Sequence, residues 1–327
     1  MEIIKFENVS KSYDGKTSVI KSLDLSIKEG EFVTMIGASG CGKTTLLKMV
    51  NGLIKPSSGT LYIKGKPTES WDMIQLRRSM GYVIQQIGLF PHLTVAKNIA
   101  YVLDIMKEDE QVKRQRAAEL IKLVDLDESY LDKYPRELSG GQKQRVGVAR
   151  ALAADPDIIL MDEPFGAVDE ITRKVLQEEI LNIHGLLKKT ILFVTHDIEE
   201  AIKLGSRIIL FNEGVIEQNG TKEEMVFKPK TEYVKSFFGL KNFMSYMNVV
   251  NVGKYMKEID MADRKRYVSW QGQYLRDDSP VMEGIKISFD TSEDVIPVKD
   301  NSGEVVGTFS FKDIKGLLGA DRQVDSR

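Results

Sequence analysis

The sequence predicts an α/β fold with a parallel-sheet core, and three observations carry that expectation. "PDIILMDEP" and "TILFVTH" are short, almost wholly apolar runs that end in polar residues, as strands covered on both faces do. Helical patterns separate such runs, for example residues 170–187. "EFVTMIG" is a third continuous apolar run, and it breaks into glycines. In open sheets of this kind, ligands bind beyond the carboxyl ends of the strands. The polar residues that follow these runs are therefore the candidates for chemistry.

Taken in order, "EIIKFENV" and "VIKSLDLSI" alternate apolar and polar residues and read as half-buried strands. "EFVTMIG" follows, then the glycine-rich "GASGCGKTT" and a helix. After "PDIILMDEP", the helix at 170–187 and "TILFVTH", the character changes near residue 241. "NFMSYMNVVNVGKYM" is rich in Met, Asn and aromatics, and a polar, poorly patterned stretch follows. "DVIPVKDNSGEVVGTFSFKDIKGLL" reads as strand, Asn-Ser-Gly turn, strand and short helix. The expected organisation is one domain over 1–240, a small α+β domain over 241–319, and a frayed tail at 320–327.

Composition narrows the class. The chain has 327 residues, 42% hydrophobic and 29% charged, which supports an ordinary globular core. A formal net charge of −2 offers no global attraction for nucleic acid. One cysteine excludes an intramolecular disulfide framework. No run of about 18 apolar residues signals a membrane span, and "MEIIKFENVS" lacks the basic start and apolar stretch of a secretory signal. A soluble cytoplasmic protein is expected.

"GASGCGKTT", Gly37 to Thr45, fits G-x-x-x-x-G-K-[ST] between a strand and a helix. Gly37, Ser39, Gly40 and Gly42 let the backbone N–H groups turn toward phosphates. Lys43 would supply charge to the β- and γ-phosphates, and Thr44, followed by Thr45, a hydroxyl to Mg²⁺. A glycine-rich turn with a chance lysine would not need that flanking strand and helix. Cys41 within the loop reads as filler. Asp162 ends "IILMD" and is placed to hold Mg²⁺, while Glu163 is placed to orient or deprotonate a water. His196 leaves "ILFVT" at the same sheet edge, so a γ-phosphate contact is expected. Gln85, after "MGYVI", can bond that water or complete the Mg²⁺ shell. "ELSGGQKQRVGVARALA" adds a second glycine pair opening a helix, the layout of another anion site.

Together, "GASGCGKTT", Gln85, "LSGGQ", "ILMDEP", "GAVDE" and "VTHD" occur in the order that resembles the ATPase domain of ATP-binding cassette (ABC) transporters. The resemblance covers residues 2–240. It implies a P-loop NTPase of the ABC type, with antiparallel β and helical subdomains around the parallel core. It also implies a head-to-tail dimer of two copies. In that dimer Ser139, Gly140, Gly141, Gln142 and Asp169 of one chain reach the ATP held by the other's P-loop. The second cradle would then be half of a shared site. Tyr13, in "KSYDG", matches the aromatic that stacks on adenine.

With one cassette and no membrane span, the resemblance implies an importer ATPase on the cytoplasmic face of the membrane. It would work with separate permease subunits, and indirectly with a substrate-binding protein or domain. "QQIGLFPHLTVAKNI" matches the permease-contacting stretch. "GYVIQQIGLFPHLTV" and "MDEPFGAVDEITR" are similar to the ATPases of glycine betaine, carnitine and choline importers; relatives of that look carry ergothioneine. The tail "VIPVKDNSGEVVGTFSFKDI" resembles half of a cystathionine-β-synthase (CBS) motif. There Ser310 and Asp313 fit the S/T-x-x-D spacing that contacts a nucleotide, so an adenine or cyclic dinucleotide ligand is a candidate. Only one copy is visible where relatives usually carry two, which leaves a ligand-free dimerisation or docking module open. A soluble ABC ATPase of translation or DNA repair would bring two cassettes or a coiled-coil insert, and neither is visible. Intact Glu163 and His196 argue against a regulatory protein that binds ATP without hydrolysing it.

Overall fold

A computed structural model describes residues 1–85, 88–166, 168–238, 240–259, 264, 267, 270–312 and 314, with the side chains of 240 and 241 excepted. Contacts divide the chain into two units, Met1–Thr221 and Lys222–Arg327. The sequence reading puts that boundary some twenty residues later, near 240. The difference arises because the two short helices after Thr221 pack with their C-terminal neighbours.

The first unit opens with a four-stranded antiparallel sheet: β1 (Glu2–Ser12), β2 (Ser18–Lys28), β4 (Ser58–Ile63) and β5 (Lys66–Pro67), in the order β2-β1-β4-β5. Ile4, Phe6, Ile20, Leu25, Ile27, Leu61 and Ile63 form its buried face, as the alternation predicts.

The main sheet has six strands. β3 (Phe32–Gly37), β6 (Met80–Val83), β7 (Ile158–Asp162), β8 (Thr190–Val194) and β9 (Arg207–Asn212) run parallel. β10 (Val215–Gly220) closes one edge antiparallel to β9, giving the order β10-β9-β3-β8-β7-β6. Both faces are covered. Ile159, Met161, Ile191 and Phe193 point into one apolar core, and Ile158, Leu160, Leu192 and Val194 into another. This two-sided burial is why "IILM" and "ILFV" are continuous rather than alternating.

One core includes Leu46, Leu47, Met49 and Val50 of α1 (Lys43–Val50); the short α2 (Met73–Arg78) precedes β6. Against the other core lie α3 (Val95–Ile99), α4 (Tyr101–Ile105), α5 (Glu110–Leu123), α6 (Gly140–Leu152) and α7 (Glu170–Leu187). The sequence reading places a helix over the same span as α7. Its start is fixed by Asp169, whose side chain accepts from Thr172 N. α8 (Ile198–Leu204) follows β8 and is capped by Asp197. The order β3-β8-β7-β6 lines up four carboxyl ends side by side. Antiparallel and helical parts flank the parallel core as expected.

The second unit contains α9 (Lys222–Phe227), α10 (Glu232–Phe237) and α11 (Leu240–Val249). It also has a four-stranded sheet of β11 (Lys257–Glu258), β12 (Leu275–Arg276), β13 (Ile296–Lys299) and β14 (Val305–Phe309), ordered β11-β14-β13-β12, with α12 (Val281–Thr291) between β12 and β13. The strand, turn and strand read from the sequence are present. Asp300 Oδ1 accepts from the N–H groups of Ser302 and Glu304 at 2.8 and 3.1 Å and shapes the turn. Ser310 Oγ accepts from Lys312 N at 3.3 Å. Asp313 and the tail 320–327 lie outside the described residues. Among the described residues no helix is long and apolar enough to cross a membrane.

Candidate active site

The loop after β3 curls because its glycines allow it. At Gly37, φ is +148° and an added Cβ would lie 2.2 Å from Phe211 O, so only glycine fits there. Ser39 and Gly40 are exposed on the loop, and Gly42 caps the start of α1. The buried ammonium of Lys43 sits at the centre of the loop and donates to Gly37 O at 2.8 Å and Ala38 O at 2.9 Å. Cys41 is buried beside it, with Sγ 3.6 Å from Lys43 Nζ. Tyr13 is exposed, and its hydroxyl lies 3.2 Å from Thr45 Oγ1, at the rim of the same loop.

Thr44 Oγ1 donates to Asp162 Oδ1 at 2.9 Å, so the helix after β3 meets the end of β7. Burial raises the Asp162 carboxyl above its usual range, and the charge of Glu163 adds to that; the Thr44 hydrogen bond opposes it. A hydroxyl and a carboxylate oxygen so placed suit a hard, oxygen-seeking cation such as Mg²⁺. That cation would offset the cost of burying the charge.

Glu163 takes a left-handed backbone, φ 46°. The kink is held by Glu163 N donating to Val194 O at 3.0 Å and by Gly166 N donating to Glu163 O at 3.2 Å. Such a conformation costs a non-glycine residue about 1–3 kcal/mol and recurs at functional sites. Glu163 Oε2 accepts from Gln85 Nε2 at 3.1 Å and lies 3.3 Å from His196 Nδ1. Three residues that follow three adjacent strands thus meet at one oxygen. Among the described residues Gln85 Nε2 bonds Glu163 and makes no hydrogen bond to Thr44 or Asp162.

The second glycine pair lies elsewhere. Ser139 caps α6: its Oγ accepts from Gln142 N at 3.3 Å, and Gln142 Oε1 accepts from Ser139 N at 2.9 Å. Gln142 Nε2 donates to Tyr130 OH at 3.0 Å. Gly140 is exposed with open space at its Cα, whereas Gly141 is buried against Thr172. Asp169 caps α7, and the backbone N–H of Thr172 holds its carboxyl below the usual range. Among the described residues, none of Ser139 to Gln142 hydrogen-bonds a residue of the Gly37–Thr45 loop.

Sequence reasoning missed three neighbours. Tyr82 lies on β6 beside Leu160 of β7. Burial, with the negative charge of Asp162, pushes its phenol up to about 12. Arg173 of α7 and Glu200 of α8 lie behind His196, 3.8 Å apart. Burial raises the Glu200 carboxyl, and Asp197's charge adds to that. "MGYV", "DEITR" and "DIEEA" look like ordinary strand and helix-start chemistry, so only the paired burial in the fold marks them.

Residues 20–166 match a family model described as ABC transporter. The glycine betaine/carnitine/choline transport ATP-binding protein OpuCA of Bacillus subtilis is 54% identical over 72% of this chain. The alignment spans 62% of OpuCA, so the chain covers about three-fifths of that relative's length. The osmoprotectant import ATP-binding protein OsmV of Salmonella typhimurium is 42% identical over 97% of this chain and 81% of its own. The dimeric post-hydrolysis structure of the ATP-binding cassette MJ0796, bound to ADP and Pi, aligns with a TM-score of 0.60 at 38% identity, covering 67% of this chain and 98% of that one.

Proposed function

The chain belongs to the family of ABC transporter ATP-binding proteins, and from that premise we propose that it is the ATP-hydrolysing subunit of an importer for quaternary-amine solutes such as glycine betaine, carnitine or choline. The observation that carries the catalytic part is the meeting of Gln85, Glu163 and His196 at one carboxylate oxygen. The solute class rests on the names of the relatives, since no residue of an ATPase subunit touches the solute.

In this reading the Gly37–Thr45 loop and Lys43 bind the phosphates of ATP, and Tyr13 stacks on the adenine. Thr44 and Asp162 would hold Mg²⁺, which would supply positive charge against the phosphates. Glu163 accepts a proton from water as the water oxygen bonds to the γ-phosphorus. The bond from that phosphorus to the β–γ bridging oxygen breaks, and ADP leaves with the electron pair. Gln85 orients the carboxylate and the water, and His196 contacts the γ-phosphate. Ser139, Gly140, Gly141, Gln142 and Asp169 serve the ATP of a second copy in a head-to-tail pair.

A groove of about 980 Å³ on the helical side, lined among others by His92, Leu93, Lys97, Tyr101, Asp104 and Arg114, supports docking to a membrane permease at the cytoplasmic face. Buried Asn98 builds its lip. The Asn98 amide donates to Phe90 O, Leu93 O and Thr94 O at 3.0–3.1 Å and accepts from Phe90 N at 2.8 Å. In the second unit, β12-α12-β13-β14 supports the CBS-like reading, with Ser310 at the end of β14 as one contact for a nucleotide.

The test is uptake of labelled glycine betaine, carnitine, choline and ergothioneine in cells lacking the chain. The expected result is loss of betaine, carnitine or choline uptake, restored by wild type and not by Glu163→Gln. The variant should still bind ATP, with turnover reduced about 10²- to 10⁴-fold. Loss of ergothioneine uptake alone would move the solute class, and near-normal turnover would remove Glu163 as the base.

A further inference from the structure

One polar chain lies behind His196 and is not used by the hydrolytic reading above. Arg173 sits on the first turns of α7, four residues after Asp169. Its Nη2 donates to Val168 O at 3.1 Å. Its Nη1 is 3.7 Å from Asp197 Oδ2, and its Nε is 3.8 Å from Glu200 Oε1. Nε is buried and makes no hydrogen bond among the described residues. Glu200 is 5% exposed. It accepts from Thr195 Oγ1 at 2.6 Å and from Gln177 Nε2 at 3.5 Å. Thr195 Oγ1 in turn accepts from Asp197 N at 3.0 Å, so both neighbours of His196 belong to the chain. A cavity of about 40 Å³ is walled by the guanidinium side and the reactive side together, including Arg173, Glu200, Glu163 and His196.

Two features make this more than a surface ion pair. Glu200 is buried, and burying a carboxylate is costly unless it is paired. The two ion-pair distances are too long for hydrogen bonds, and the guanidinium could close either one with a shift of about 1 Å. It is also the group that joins the loop carrying Asp169, before α7, to the loop carrying His196, before α8. A planar fork with donors in fixed directions suits that bridging role, and an ammonium, a point charge without the fork, fills only part of it.

We propose that Arg173 and Glu200 are a positioning couple that holds His196 against Glu163 and ties that geometry to the loop of Asp169. The couple touches no reacting atom. The proposal rests on the reading of Glu163 and His196 as the hydrolytic pair.

The experiment uses the purified full chain with Arg173→Ala, Arg173→Lys, Glu200→Gln, the Arg173→Ala/Glu200→Gln double variant, and Glu163→Gln as reference. Affinity for trinitrophenyl-ATP and kcat at saturating ATP are measured for each. Positioning predicts that Arg173→Ala and Glu200→Gln lower kcat about 10- to 100-fold, the scale of a sub-ångström to 1 Å misplacement, with nucleotide affinity unchanged. The double variant should be no slower than the worse single one. Arg173→Lys should recover part of the loss, and it carries the test if Arg173→Ala does not fold. The proposal is overturned if kcat in both Arg173 variants stays within about twofold of wild type while Glu163→Gln is inactive, or if the two single losses simply multiply. It is overturned equally if affinity and kcat fall together. Near-normal turnover in Glu163→Gln would instead overturn the hydrolytic reading, and the couple with it.

Discussion

At Gly141 an added Cβ would lie 2.4 Å from Thr172 Cγ2. A side chain there would push the start of α6 away from the start of α7. The glycine pair can be read in the sequence as an anion cradle. The steric reason for its second member cannot, because Thr172 is thirty-one residues away and meets it only in the fold. Gly141→Ala should therefore cost about 1–3 kcal/mol, the usual penalty for overpacking. Thr172→Ser removes the clashing methyl and keeps the hydroxyl, so the double variant should regain most of the denaturation midpoint. No recovery would mean the glycine is needed for its backbone. Glu163 makes the same point about legibility. Its carboxylate stands out in "MDEP", but nothing in that string announces the left-handed backbone that aims it.

Among the elements, α7 links the site to the sheet. Its N-terminus carries Asp169 and Arg173. At its other end His184 Nε2 lies 3.0 Å from Gly30 O, and the ring meets Phe32 edge-on at 5.3 Å. Burial lowers the proton affinity of His184 below the ordinary 6.5, and the Gly30 carbonyl opposes that shift. As pH falls through 6.5 the unfolded chain takes up this proton before the folded one does, so acid favours unfolding. The contribution is intact above the ordinary histidine range and is lost as pH falls below it. His184→Gln should flatten that part of the stability profile, measured as urea midpoints; parallel profiles would refute the assignment. α7 is legible because capping and period agree along its length. α11 is not, although Tyr246 and Met247 are buried in it and Val250, just past its end, is buried on the same spacing. Its Asn and Ser residues are poor helix formers, no cap announces it, and the element is stabilised by packing within the second unit. The same blindness moved the boundary from 221 to near 240, because α9 and α10 carry no composition change to mark them.

On the scale of the whole molecule, the proposed reading divides one chain into two half-sites. The Gly37–Thr45 loop with Thr44 and Asp162 is one. Ser139–Gln142 with Asp169 is the other; it caps its own helices and, among the described residues, makes no hydrogen bond to the loop. Among the described residues Ser139 Oγ hydrogen-bonds only as an acceptor, which leaves its proton able to be donated, and the exposed Gly140 continues a helix N-terminus that favours negative charge. This is the division a phosphate-bridged pair of copies requires, and its motifs are legible because both cradles use backbone N–H chemistry that glycine spacing betrays. Arg173 and Glu200, which join the loops inside each copy, use ordinary helix residues and leave no such trace. If the halves meet across two chains, Glu163→Gln, which should trap ATP, will sediment as a dimer with ATP and as a monomer without it. Adding Ser139→Arg places bulk and charge in the second half-site. The cap it removes costs about 1 kcal/mol, too little to unfold a domain of this size. That double variant should still bind ATP through its own Lys43 loop but remain a monomer. A dimer that survives the substitution would show that the LSGGQ run does not close over the partner's nucleotide. Loss of ATP binding in a folded chain would place both cradles on one ATP within a single copy.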